Sequence, residues 1–383
     1  MPANFILPLF SLFTLYAIWY YADVNGLLSL AKQSIAHNTL PGSDAPLRTT
    51  YTGLAHLDHL LTTLTTFFWP TTDGSHPALT LHTLGFAGTF GSAWILITLE
   101  SWRRGNAWTL AAYPLVFGLS AQTLTFAFAA PLYCALQLST SITSQAPTAV
   151  NVYIPRSVLH ALPCVFAVSY MLPSTLMILP ISGTISTDLK QIFIALWQPF
   201  PAYISILLAV TNTVFSPLTS VDQTGRKDLR ALRFVYAFAF ANTAVTHLVT
   251  WTISLTTVFA PAIIDERFRG ELYPSIVFGI PTPWTSPVVQ VQSIADGVHA
   301  FLRWDYLIGS MGMVVWAGAL NAGAQRVVYG AVGWWRLIVK VVLLAVVAGP
   351  VGAAVELVWE RDELVIAETD TVTRVSEKAK ASY

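Results

Sequence analysis

A-D-G-V-H-A-F-L-R-W-D-Y-L-I-G-S, from Ala295 to Ser310, sets two carboxylates, a histidine, an arginine, a tryptophan and a tyrosine against the start of a long apolar run. Only 10% of the chain is charged, so this crowding marks the place to look for chemistry. An ionisable side chain at membrane depth costs roughly 3 kcal/mol on insertion scales unless it is paired or faces a cavity. Continued as one helix from Trp304, the run aligns Gly309, Gly312, Trp316, Ala319 and Gly323 on the face that carries Asp305. Small residues at that spacing pack against neighbouring membrane helices, so Asp305 is expected to point into the bundle. Asp296, His299 and Arg303 form a second stripe. The competing reading makes Arg303, Trp304, Asp305 and Tyr306 caps and anchors at a span end, with Asp305 paired to Arg303.

The rest of the chain supports a membrane setting. Hydrophobic residues make up 54% and mean hydropathy is +0.59, whereas a soluble protein carries about a quarter charged residues. A formal net charge of zero gives no reason to expect a nucleic-acid partner. Cys134 and Cys164 both lie in apolar runs and build neither a disulfide framework nor a metal set. The first run lacks a basic stretch before it and reads as a retained span.

Eight runs reach the roughly 20 residues needed to cross a bilayer: 5–21, 79–99, 108–138, 158–181, 192–215, 234–261, 304–324 and 335–358. Leu54, Leu57, Leu61, Leu64 and Phe68 recur at spacings of 3 and 4, which predicts an amphipathic helix lying in the interface. His56, Asp58 and His59 there do not share one face, so interfacial polarity is preferred over a metal site. The fold class is therefore all-α: a polytopic transmembrane bundle of about eight spans plus an interfacial helix. It forms a single domain over 1–360, and 361–383 is expected to be a charged, disordered tail.

The connector 262–302 has aromatic and apolar content that suits a lid. Eight crossings would put Glu100 on the lid side of the membrane and Asp23 on the other. Basic residues are nearly balanced between the two sides and do not settle the orientation; with the tail discounted, their distribution would put both termini in the lumen.

Polar groups inside the runs are sparse and aligned. Tyr236, Thr243, His247, Trp251 and Ser254 share a face of 234–261, and Gln122, Phe126 and Tyr133 share one of 108–138. Aromatic faces with an occasional polar group describe a pocket for a greasy ligand that passes through a cation. Helix packing is the plainer explanation for each ring taken alone, and a helix–helix hydrogen bond is the plainer one for His247. No D-D-x-x-D or N-D-x-x-D cluster is present to hold a diphosphate through magnesium, nor an H-E-x-x-H, P-loop or G-x-S-x-G motif. What fits is chemistry started by one positioned acid, since a carboxylic acid kept neutral in an apolar site can donate to an epoxide or an olefin.

The stretches N-F-I-L-P-L-F…Y-A…N-G-L-L-S-L-A, within 4–31, and F-L-R-W-D-Y-L-I-G-S, 301–310, resemble the fungal integral-membrane terpene cyclases of the ascochlorin and ascofuranone type. The resemblance implies a place in meroterpenoid or indole-terpenoid secondary metabolism, protonation of a terminal epoxide or alkene on a prenylated substrate, and cationic ring closure. Trp304, Asp305 and Tyr306 carry over as motif members.

From position and chemistry, Asp296, His299 and Asp23 join Asp305 as catalytic candidates. Trp304, Tyr306, Arg303, Gln122, Phe126, Tyr133, His247, Trp251 and Glu100 are the substrate-binding candidates. The expected setting is a multi-pass protein of the endoplasmic reticulum with no metal or other cofactor. Its partners would be the lipid bilayer and a hydrophobic prenylated small molecule. The alternative is a non-catalytic transporter or lipid-binding membrane protein.

Overall fold

The computed structural model describes residues 3–218 and 228–381, with side chains described through residue 367 except at Leu218. Its principal helices are α1 (Ala3–Val24), α2 (Leu27–His37), α3 (Ala55–Thr72), α4 (Pro77–Ser101), α5 (Pro114–Leu124), α6 (Phe126–Thr140) and α7 (Arg156–Ile178). They continue with α8 (Thr187–Trp197), α9 (Phe200–Phe215), α10 (Leu229–Phe259), α11 (Ile294–Tyr329) and α12 (Trp334–Ala381). Extended pairing among the described residues is limited to one isolated bridge, Thr39 to Pro46.

Five of these helices are long and apolar enough to cross a bilayer, or six if α8 and α9, bent by 56° at their junction, count as one. Outward-facing Phe5, Val210, Leu343 and Val346 are exposed, as an apolar solvent favours. The expected count of about eight spans is not confirmed: α4 is not among the five, α5 and α6 are each shorter than a crossing, and two of the apolar runs double back.

The first reversal lies within 108–138. Helices α5 and α6 meet at Thr125, and Phe117 and Tyr133, equally far from it in sequence, put their ring centroids 5.2 Å apart. The Tyr133 hydroxyl donates to Ala111 O at 3.1 Å, so the end of the hairpin lies beside its beginning. The second reversal is inside α12, where Gly349 leaves helical geometry (φ 76°, ψ 166°) ahead of Pro350. Lys340 Nζ reaches both Glu356 Oε1 and Glu360 Oε2 at 3.1 Å. A straight helix would hold positions 340 and 360 about 30 Å apart.

The carbonyls freed at this apex are satisfied from the middle of α10. Thr243 Oγ1 donates to Ala348 O at 3.2 Å, and His247 Nε2 lies 3.1 Å from Val346 O. His247 thus makes the helix–helix hydrogen bond that its isolation suggests.

One run that reverses instead of crossing shifts every later end to the other side. Val24 O and Asn25 O, at the end of α1, accept hydrogen bonds from Gln290 Nε2 (2.9 Å) and Val291 N (3.0 Å) of the connector. Asp23 therefore sits at the lid end, a correction to its expected place. Glu100 moves the other way: α4 starts beneath the lid and carries Glu100 to the far end.

The connector does fold over the bundle. Val277 packs on Ala78 and Leu81, Phe278 stacks on Trp251 with centroids 4.1 Å apart, and Ser254 Oγ donates to Leu272 O at 2.8 Å.

Two further expectations change. The helix read as interfacial, α3, packs inward with a mixed face, burying Asp58, Thr62, Thr65 and Thr66 beside Leu61 and Trp69 while Leu57 and Leu60 are exposed. Asp58 can be buried there because its carboxylate collects the N–H groups of Tyr51, Thr52 and Gly53 at 3.1, 2.7 and 3.0 Å. These bonds, with the Thr52 main chain foremost, hold its carboxyl below the usual carboxylate range. The linked stabilisation is complete above the unfolded-state value, about 4, and is lost as pH falls through the depressed folded value. Thermal unfolding in detergent should show Asp58→Asn losing its deficit relative to wild type at acid pH; a deficit constant from pH 7 to pH 3 would refute the linkage.

The expected disordered tail starts too early at 361. The helix runs on to Ala381, Arg361 and Asp362 are buried, and only Ser382 and Tyr383 of that segment lie outside the described residues.

Candidate active site

Asp305 stands about 16 Å along the 36-residue α11 from its first residue. The small-residue face works as its spacing predicts. A Cβ on Gly309 would lie 2.3 Å from the Phe126 ring, and one on Gly312 would lie 2.6 Å from Pro131, so α11 packs directly on α6. The same face brings Asp305 to the apex of the α5–α6 hairpin, where its Oδ1 accepts from Ala127 N at 2.6 Å. One residue on, Phe128 N donates to the Thr125 hydroxyl at 3.1 Å. Among the described residues, no ion pair joins Asp305 to Arg303.

The carboxyl lines a cavity of about 850 Å³ between the hairpin apex and the lid, within the size range of small-molecule sites. Its walls are largely apolar and rich in rings: Trp19, Phe67, Phe86, Phe90, Phe126, Tyr170, Trp197 and Phe301 come from seven helices, and Phe268 and Leu272 close it from the lid. Several of these rings pack edge to face, as Trp19 does on Phe301 (5.6 Å) and Phe67 on Phe301 (4.9 Å). Among the described residues, Asp305 is the only charged one on the wall. Gln122 is there as well, and its buried Nε2 has no hydrogen-bond partner. The π-helical turns Leu15–Tyr20 and Ala167–Met171 supply Trp19 and Tyr170, in keeping with the frequent use of such turns at functional sites.

The remaining candidates fall into separate groups. His299, Arg303 and Trp304 form a latch along α11 that holds the lid. His299 Nε2 meets Val277 O at 3.0 Å, Arg303 Nη1 donates to Gly279 O, and Trp304 Nε1 donates to Pro281 O at 2.9 Å. Arg303 Nη2 also lies 2.8 Å from His299 Nδ1. A guanidinium only donates and a carbonyl only accepts, so His299 is the Nε2–H tautomer. Trp251 belongs to this group through its stack on Phe278.

Asp296 is exposed at the first turn of α11 and exchanges hydrogen bonds with Ser293, the N-cap. A carboxylate there suits the helix dipole. Tyr306 packs on Phe86 (6.1 Å) and His82 (5.8 Å) behind the wall. Tyr133 spends its hydroxyl on Ala111 O and on Ile97 O of α4, and Asp23 is exposed.

Glu100 is fully buried at the far end in a cluster with Arg103, Arg361, Asp362 and Tyr236. Of the expected residues, Asp305, Gln122 and Phe126 therefore meet at one cavity. Thr125 and Trp19 were missed. Nothing in a threonine codon position signals a helix break, although a 31-residue apolar run is longer than one crossing needs. Among the described residues, no three His, Cys, Asp or Glu side chains stand close enough to hold a metal ion together.

A family model described as the CtvD domain matches residues 3–366. The terpene cyclase ctvD of Aspergillus terreus is 32% identical over 366 residues, covering 95% of this chain and 99% of that protein. The terpene cyclase ascI of Acremonium egyptiacum is 31% identical over 346 residues, 90% of this chain and 87% of its own. The terpene cyclase penA of Penicillium crustosum is 27% identical, covering 92% and 94%. No solved structure matches the chain.

Proposed function

Because the chain belongs to the CtvD-domain family of fungal terpene cyclases, we propose that it closes rings on a prenylated aromatic or indole substrate by proton-initiated cation chemistry. One observation carries this reading: a single carboxyl, Asp305, on the wall of an otherwise uncharged aromatic cavity. Asp305 is the acid in this reading. It protonates a terminal epoxide or alkene, and ring faces along the wall stabilise the migrating positive charge by about 0.5–2 kcal/mol each. Gln122, with its unpaired amide, binds a polar group of the substrate. His299, Arg303, Trp304 and Trp251 act by holding the lid that keeps water from the cation.

The same proposal places the chain in the endoplasmic reticulum membrane with six crossings, α1, α4, α7, α8–α9, α10 and α11. The α5–α6 hairpin and α12 enter from the far end and return to it. Backbone breaks at membrane depth are tolerated where they are buried in protein or line a cavity, and both apices meet that condition.

The test is to incubate microsomes containing the protein with a farnesylated phenol that bears a terminal epoxide, and with its alkene counterpart, and to identify cyclised products by mass spectrometry. Turnover is expected to persist unchanged in EDTA, because proton-initiated ring closure needs no diphosphate to be ionised. Activity abolished by EDTA and restored by magnesium would overturn the acid mechanism. A transporter would return the substrate unchanged.

A further inference from the structure

We propose that the break between α5 and α6 is a built seat for the acid: Trp19 and Thr125 are positioning residues that aim the N-terminus of α6 at Asp305, so that the carboxylate left after proton transfer is stabilised as it forms. This rests on the reading of Asp305 as the initiating acid.

A helix broken in an apolar bundle leaves carbonyls on one side and N–H groups on the other without partners, at a cost of several kcal/mol for each group left unpaired. Here the two sides are paired by cavity residues. Leu124 O, at the end of α5, accepts from Trp19 Nε1 at 3.1 Å. At the start of α6, Ala127 N donates to Asp305 Oδ1 at 2.6 Å and Phe128 N donates to Thr125 Oγ1 at 3.1 Å. Trp19 reaches across from a π-helical turn of α1, and Asp305 from α11, so two other helices hold the break open.

Thr125 itself adopts φ 109°, ψ 154°, a region almost reserved for glycine and costing a side-chain-bearing residue about 1–3 kcal/mol. Glycine would relieve that strain. Threonine supplies the hydroxyl that caps Phe128, next to the Ala127 N–H that Asp305 accepts. Strain retained beside the only charged group of the cavity points to a functional constraint.

The chemistry gives the arrangement its use. With Oδ1 held by Ala127, Oδ2 carries the proton. That proton passes to the epoxide oxygen or the terminal alkene carbon, the O–H bonding pair stays on the carboxyl, and positive charge appears on the prenyl chain. Loss of a proton from the final cation closes the cycle with no net oxidation or reduction. The negative charge that develops on Asp305 meets a fixed N–H and the positive end of a 15-residue helix dipole, in a site with little water. Preorganised donors of this kind act on the transition state more than on the ground state.

Trp19→Phe keeps a ring on the cavity wall and removes the N–H that seats Leu124 O. Thr125→Val keeps the shape and removes the hydroxyl, and Thr125→Ser returns it. Each is compared per folded, monodisperse protein in detergent, with kcat and KM measured separately using the substrate that wild type cyclises. Removing a direct oxyanion donor typically lowers kcat by about 10²–10³, so loss of an indirect support is expected to lower it by about 10–100-fold with KM within about twofold. Thr125→Ser should recover most of what Thr125→Val loses. If Thr125→Val yields no folded protein, Trp19→Phe decides alone. Unchanged kcat in Trp19→Phe, with Asp305→Asn inactive, would overturn the seat and leave the acid in place. Normal turnover in Asp305→Asn would remove the acid itself.

Discussion

Asp305→Asn should abolish most turnover while leaving the protein folded. Asparagine keeps the size of the side chain and an oxygen to accept the Ala127 N–H, but it has no proton to deliver. Loss of a general acid commonly lowers rates by about 10²–10⁴, and the upper part of that range is expected where protonation opens the reaction. Insertion should survive, since a neutral amide is cheaper in the membrane than a carboxylate. The outcome differs if Asp305 serves only to cap α6: losing a helix cap costs about 0.5–2 kcal/mol of stability, and turnover per folded molecule would stay near wild type. Product formed per monodisperse protein, measured beside its melting temperature, separates the two. A variant of normal turnover and lowered stability would make Asp305 a structural residue.

The direction of Asp305 was legible because it needs only one helix. Gly309, Gly312 and Trp316 define a packed face by spacing alone, and Asp305 lies on it. The reversals were not legible by the same means. An apolar run states how much chain is shielded from water and leaves open whether it crosses once or enters and returns. The signals present were the surplus length of 108–138 and the Gly349–Pro350 pair inside 335–358. One reversal then moved Asp23 and Glu100 to ends opposite those expected.

The roles of His299 and Arg303 depend on carbonyls of Val277 and Gly279, more than 20 residues earlier in the chain. Their charge drew attention to the right end of α11, but their bonds go to the lid. Asp305 and Glu100 looked alike as carboxyls in apolar surroundings. What separates them is that one meets a cavity and the other meets Arg361, a partner 261 residues away that no local pattern announces.

That partner belongs to a cluster whose disruption should have the largest effect on stability. Arg103 Nε donates to Glu100 Oε2 at 2.6 Å, its Nη1 to Val152 O at 2.7 Å, and its Nη2 to Asp362 Oδ2 at 2.9 Å, while Arg361 Nη2 reaches Glu100 Oε2 at 2.9 Å. Two guanidinium groups and two carboxylates, all buried, therefore tie the returning arm of α12 to the end of α4. Arg103→Met fills a similar space but leaves Glu100 and Asp362 to share one cation. Breaking a buried pair by removing one partner costs about 3–5 kcal/mol, a large share of the stability of a typical domain.

Folded yield and melting temperature should fall sharply. Turnover per folded molecule should change little, because the cluster lies about 27 Å along α4 from the His82 end beneath the lid. Adding Asp362→Leu restores charge balance around Glu100 and Arg361, so the double variant is expected to be more stable than Arg103→Met alone. A double variant destabilised by the sum of the two single changes would show that the residues act independently. A fall in turnover without a fall in stability would show instead that this end of the bundle takes part in the reaction.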